Sequence, residues 1–278
     1  MWLDTHCHLD APEFLSDIES IVERAKYAGV AGILLPAVRA QDFEAVQEIT
    51  HRFKREIPYL VYTLGIHPLY TDRASESDLS TLETAIVKAQ NDPHFVGIGE
   101  IGLDYFVAEL DPHRQAFFFH AQLDLAQQYQ LPVILHVRRS QDMILKALRQ
   151  RTISGGIAHA FNGSFQQAQQ FIDLGFKLGF GGAATYERAL QIRRLLKELP
   201  LDSIVTETDS PDIPPAWLRE EGFVFNQPAF VERIAKELAS IRGIDDAEFA
   251  SVVWSNSMQV LPRWSALCAD LPNLDLAS

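Results

Sequence analysis

A chain of 278 residues with 47% hydrophobic and 22% charged residues has ordinary globular composition and ample length for a full core. Its formal net charge of −13 excludes a broad basic face for nucleic acid, so a phosphate-bearing substrate would have to meet bound cations or a local patch. Two distant cysteines, Cys7 and Cys268, no signal-peptide pattern and no apolar run of membrane-spanning length suggest a cytoplasmic protein without a membrane partner.

Short apolar runs alternate along the chain with longer amphipathic ones, as in a parallel sheet with helical crossovers. The first strand is predicted over 1–5, followed by a helix over 16–28. Strand 32–36 then precedes helix 41–54, and strand 59–64 precedes helix 78–90. The pattern repeats as strand 95–99 with helix 112–129, and strand 132–135 with helix 140–151. It continues as strand 156–158 with helix 165–174, then strand 176–180 with helix 187–199. The eighth strand spans 203–206, and a Pro-rich loop leads to helices near 228–241 and 246–261. Eight such units point to a (β/α)₈ TIM barrel in one domain over 1–278, with a core of about 1–262 and a short C-terminal tail. A doubly wound sheet is the alternative.

The polar residues at the strand ends favour the barrel. His6 and His8 follow strand 1 and, at a spacing of two, share a face. Glu100 ends strand 4, His136 strand 5, His159 strand 6, and Asp209 follows strand 8. A closed barrel gathers all six over one mouth. Four imidazoles and two carboxylates are too many for one tetrahedral ion that keeps an open position. They suit two divalent ions, with Glu100 as the bridge, His6, His8 and Asp209 on one ion, and His136 and His159 on the other. Such a pair stabilises attacking and leaving oxygens in phosphoryl displacement and eases deprotonation of water. Asp209 is placed to orient that water and accept its proton. The donor set suits zinc, manganese or cobalt, and magnesium less well.

Several stretches together resemble the TatD-type metal-dependent deoxyribonucleases of the amidohydrolase-like superfamily. They are LDTHCHLD (3–10), GIHP (65–68), GEIGLDY (99–105), PVILHVR (132–138) and IVTETDSP (204–211). One departure is small: Ser140 stands where the second signature usually has Thr or Ala. The resemblance implies a hydrolase with two divalent ions cleaving DNA phosphodiesters, with the ligands matching the six residues above. It also places His67, Asp104, Arg138 and Asn226 around the site.

Taken singly, those neighbours have alternatives. Asp4 and Glu207 flank ligands and could accept imidazole N–H bonds. His67 faces substrate, supports a ligand or caps the turn that follows, whereas Asp104 orients a neighbour or caps the next helix. Arg138 could grip phosphate with its planar fork, with Arg139 beside it a solvated charge. Asn226 either donates to substrate or caps the helix starting near Pro228. The helix start at Asn162-Gly163-Ser164 is equally well a phosphate cradle or a plain cap. His51, His94 and His113 read as surface residues, and Cys7 as a small buried hydrophobe.

The function expected is 3′-end-directed cleavage of DNA by a monomeric enzyme. Alternatives are hydrolysis of an amide, a lactone or a D-aminoacyl-tRNA ester. Amidohydrolase-type relatives often bridge their metals with a modified lysine on the fourth strand; Glu100 stands there instead. A non-catalytic binding barrel would be expected to lack one of the six residues.

Overall fold

The computed structural model describes residues 1–218 and 221–270. Its strands are β1 (Trp2–Asp4), β2 (Val30–Pro36), β3 (Tyr59–Leu64), β4 (Phe95–Asp104), β5 (Val133–Arg138), β6 (Gly156–Ala158), β7 (Phe176–Phe180) and β8 (Ile204–Thr206). They pair in chain order, each parallel to the next. The β8 end returns to β1: Thr5 N donates to Thr206 O at 3.0 Å, and Asp209 N to His6 O at 2.9 Å. The barrel therefore closes, as the strand count and the strand-end chemistry anticipated.

Between the strands run α1 (Pro12–Leu15), α2 (Ile18–Tyr27), α3 (Phe43–Phe53), α4 (Ser77–Ala89), α5 (Pro112–Tyr129), α6 (Gln141–Leu148), α7 (Phe165–Asp173) and α8 (Leu190–Glu198). After β8 come α9 (Val231–Arg242), α10 (Asp246–Val260) and α11 (Pro262–Asp270). Among the described residues, no helix is long and apolar enough to cross a membrane.

The strands read as apolar runs because both faces are covered. In β2, Leu34 joins an inner cluster with Leu3, Val61, Ile134 and Val205, while Ile33 and Leu35 pack outward against the helices. The inner cluster fills one end of the barrel.

Three elements depart from the sequence expectations. β4 runs on to Asp104 instead of stopping at 99. Gly102 continues the strand at φ +154°, where a Cβ would lie 2.0 Å from His136 O. That position requires glycine for close backbone approach to β5, not for a turn. Second, residues 262–270 are not tail but α11, whose buried Trp264 and Leu267 close the inner cluster from below. The rest of the expected tail, 271–278, lies outside the described residues. Third, His94 is not a surface residue: it is buried, and its Nδ1 bonds Leu60 O at 2.7 Å.

Candidate metal centre

The carboxylate of Glu100, on β4, sits at the middle of the barrel mouth and is buried. Its two oxygens face two different groups. Oε2 lies 3.1 Å from His6 Nε2 and 3.5 Å from His8 Nε2. Asp209 Oδ1 closes that side, at 3.6 Å from His6 and 3.7 Å from His8. Oε1 lies 3.0 Å from His136 Nδ1, 2.9 Å from His159 Nε2 and 3.2 Å from His67 Nε2. All six residues singled out as ligands are thus gathered in one cluster. His67 joins them more closely than its sequence context suggested.

The local chain explains these directions. Past β1, the segment carrying His6 and His8 stays extended against the loop after β8, with Cys7 bridged to Ser210. The two imidazoles therefore face the mouth. Cys7 points away, fully buried, and accepts from Ser210 Oγ at 3.1 Å. Asp209 has a left-handed backbone, φ +56°, a conformation that costs a non-glycine residue about 1–3 kcal/mol. Buried neighbours hold it there. Asp4 accepts from Thr208 N (2.9 Å) and Thr208 Oγ1 (2.6 Å). Asn226 Nδ2 donates to Thr208 O (2.8 Å) and Asp212 O (3.0 Å).

That network corrects the reading of Asn226. It neither faces substrate nor caps a helix; it is fully buried and braces the loop that carries Asp209. Asp104 likewise is no helix cap, since Asp111 fills that role for α5. Asp104 Oδ2 meets His136 Nε2 at 3.0 Å, and Oδ1 accepts from Phe106 N and Val107 N. With Nε2–H given to Asp104, His136 turns the Nδ1 lone pair toward Glu100. His67 is set the opposite way: its Nδ1 accepts from Leu69 N at 3.1 Å, so Nε2–H points at Glu100. His67 is therefore arranged as a hydrogen-bond donor, and His136 as a lone-pair donor.

Glu207 is buried beside His159, with Oε1 3.9 Å from His159 Nδ1 and 2.5 Å from Ala160 N. Its side chain passes over Gly179, where a Cβ would come within 2.0 Å of Oε2. Arg138 stands half-exposed at the rim, 3.9 Å from Asp104 Oδ2. Arg139 is not merely solvated: both guanidinium groups lie against Phe106. Phe106 was not singled out in the sequence; its position two residues past Asp104 was the available signal.

Electrostatically, the centre concentrates carboxyl and imidazole groups where water is scarce. Burial lifts Glu207 to about 8 and Asp4 to about 7, and raises Asp209. Burial would also lift Glu100, but His67, His159 and His6 hold it well below the usual range. Burial opposes charge on His159 too, yet Glu100 and Asp209 bring it up to about 10. Among the described residues, the ion-pair partners of Glu100 and Asp209 are all histidines. Buried carboxylates without lysine or arginine, among converging imidazoles, are a donor set for divalent cations. Three triads have donor atoms within 4.8 Å of one another: His6–His8–Glu100, His6–His159–Asp209 and His67–Glu100–His136.

The closed barrel and this donor set define a metal-dependent hydrolase. A family model described as TatD related DNase matches residues 3–262, and the chain belongs to that family. An uncharacterized metal-dependent hydrolase of Haemophilus influenzae is 36% identical over 93% of this chain and 98% of its own. A protein of Salmonella typhimurium named 3′-5′ ssDNA/RNA exonuclease TatD is 31% identical over 91% of this chain and 96% of its own. Among solved structures, the TatD homologue YjjV of Escherichia coli superposes with a TM-score of 0.86 at 36% identity, covering 94% of this chain and 98% of that one.

Proposed function

We propose that the chain is a two-metal phosphodiesterase that trims DNA single strands from the 3′ end. The observation that carries this reading is the division of Glu100, with one oxygen toward His6, His8 and Asp209 and the other toward His136 and His159. A single ion would not need a bridging carboxylate with imidazoles on both sides. The relative named an exonuclease supports the substrate class.

When bound, two divalent cations would supply charge neutralisation at both the attacking and the leaving oxygen. The chain's own residues do the rest. Asp209 lines the cleft with its raised basicity and a backbone braced by Asn226 and Asp4, so it can orient a water and take its proton. Asp104 holds His136 in place by a 3.0 Å hydrogen bond, and Glu207 fixes the backbone beside His159 by accepting from Ala160 N. His67 keeps its Nε2–H on Glu100 Oε1, which orients the bridging carboxylate. Arg138 stands at the rim, where a planar fork can accept phosphate.

The test is cleavage of a 3′-labelled single-stranded DNA after stripping and restoring magnesium, manganese or zinc, with metal content counted per chain. Asp209→Asn should lower turnover by about 10²–10⁴-fold, as expected for loss of a general base. Two ions per chain, restored cleavage and a dead variant support the proposal. One ion per chain, or full activity in Asp209→Asn, rejects it.

A further inference from the structure

The cleft above the metal centre, about 1080 Å³, is lined on one side by Phe106, Arg138 and Arg139. Phe106 is 48% exposed and lines the cleft. Its ring is not held by the apolar core. The Arg138 guanidinium carbon stands 3.9 Å from the ring centroid, and that of Arg139 4.6 Å. The backbone beneath is fixed by Asp104, which is fully buried and accepts from both Phe106 N (2.9 Å) and Val107 N (3.1 Å). The other oxygen of the same carboxylate holds His136. One side chain thus sets the position of a proposed metal ligand and of an exposed aromatic ring together.

We infer that Phe106, flanked by Arg138 and Arg139, is the platform on which a base of single-stranded nucleic acid stacks while its phosphate enters the centre. The inference rests on the phosphodiesterase reading and adds the residues that would hold a base of the strand. A ring with guanidinium groups laid over it suits a nucleotide: a base stacks on the guanidinium plane or takes its place on the ring, and the displaced cation meets the backbone phosphate. Every base has such a face, so the platform accepts any sequence. A paired base is already stacked in its duplex and would have to be pulled out at a cost. The site therefore prefers unpaired ends. Small esters and amides without a ring gain nothing from it. The local cluster also reconciles a net charge of −13 with a polyanionic substrate.

The experiment uses the full-length protein with Phe106→Ala and Phe106→Trp. Binding to the metal-stripped protein is read by anisotropy of a labelled single strand, and cleavage by the metal-loaded protein is measured alongside. A second series walks one abasic residue along the strand from its 3′ end. Phe106→Ala should weaken binding and raise KM about tenfold, the scale of one lost stacking contact. Its kcat should stay within about twofold, since the ring does not touch the reacting atoms. Phe106→Trp should match the wild type. One abasic position should weaken wild-type binding to the level of Phe106→Ala and add no further loss in that variant. That series needs only wild-type protein to show a stacked position, so it survives a folding defect in either variant. Cleavage with no sensitivity to Phe106→Ala or to any abasic position overturns the platform and leaves the nuclease standing. Failure of wild type to bind or cleave any single strand overturns both.

Discussion

At its N-terminal end the barrel is sealed by α11, with Trp264 and Leu267 driven into a cluster of Leu3, Val61, Ile134 and Val205. The single polar atom of the Trp264 ring is matched, donating from Nε1 to Tyr59 O at 2.9 Å. At its C-terminal end the same strands carry five histidines and buried carboxylates, with His6 Nδ1, His159 Nδ1 and Glu207 Oε2 lacking hydrogen-bond partners among the described residues. Left-handed non-glycine residues, Arg139, Ala160, Asp209 and Ile213, gather on that side. One end contributes stability; the other spends some of it to hold groups in place.

The sharpest way to separate the two ends is to remove the group at the centre of the mouth. Glu100→Ala should lose both ions in a metal count. Turnover should fall by more than the roughly 10- to 100-fold expected for a residue that only supports a ligand. The circular dichroism spectrum should stay native, because the barrel is closed elsewhere by apolar packing. Retention of two ions would end the bridging role.

The opposite change acts on stability alone. Trp264→Ala should cost about 3–5 kcal/mol, the usual loss for a buried large aromatic, and leave the Tyr59 carbonyl without its donor. Measured by urea denaturation, that loss should come with an unchanged kcat at temperatures well below the transition. A matching fall in kcat would show that the bottom of the barrel transmits to the mouth.

Much of this division was legible in the chain. The strand order, and the placing of His6, His8, Glu100, His136, His159 and Asp209 over one mouth, follow from alternation and from where each apolar run stops. What stayed hidden depends on partners far away in sequence. Asn226 is a brace only because the carbonyls of Thr208 and Asp212 turn toward it. His67 could be read as a donor only once Leu69 N was seen on its Nδ1. The extension of β4 past 99 was hidden because close approach to β5 and a turn both demand glycine, so Gly102 does not tell them apart. α11 starts at Pro262, directly after α10 ends, and its apolar face made sense only beneath the end of the barrel.

The smallest effect concerns the one histidine of the lower end that the sequence reading misplaced. His94 sits at the start of β4 with Nδ1 bonded to Leu60 O, its ring against His51 at 5.3 Å, and Asp92 and Lys54 as charged neighbours. Burial lowers its pKa from the ordinary 6.5, and the attraction of Leu60 O and Asp92 only partly offsets that. Above pH 6.5 the ring is neutral both folded and unfolded, and it adds no pH dependence. Below that point the unfolded chain takes up a proton that the folded ring refuses until its lower pKa is passed. Stability therefore drains away as the pH falls through that window, by at most about 1.4 kcal/mol per pH unit for one proton. In His94→Gln, a donor for Leu60 O is kept and the titration is gone, so the melting temperature should fall less steeply with acidification than in wild type. The mouth histidines are common to both proteins and cancel in the difference. Activity at neutral pH should not change, because the neighbours of His94 are Leu60, His51, Asp92 and Lys54 and none belongs to the metal centre. Equal slopes for the two proteins would mean that His94 titrates normally, and that the lower end is wetter than its packing shows.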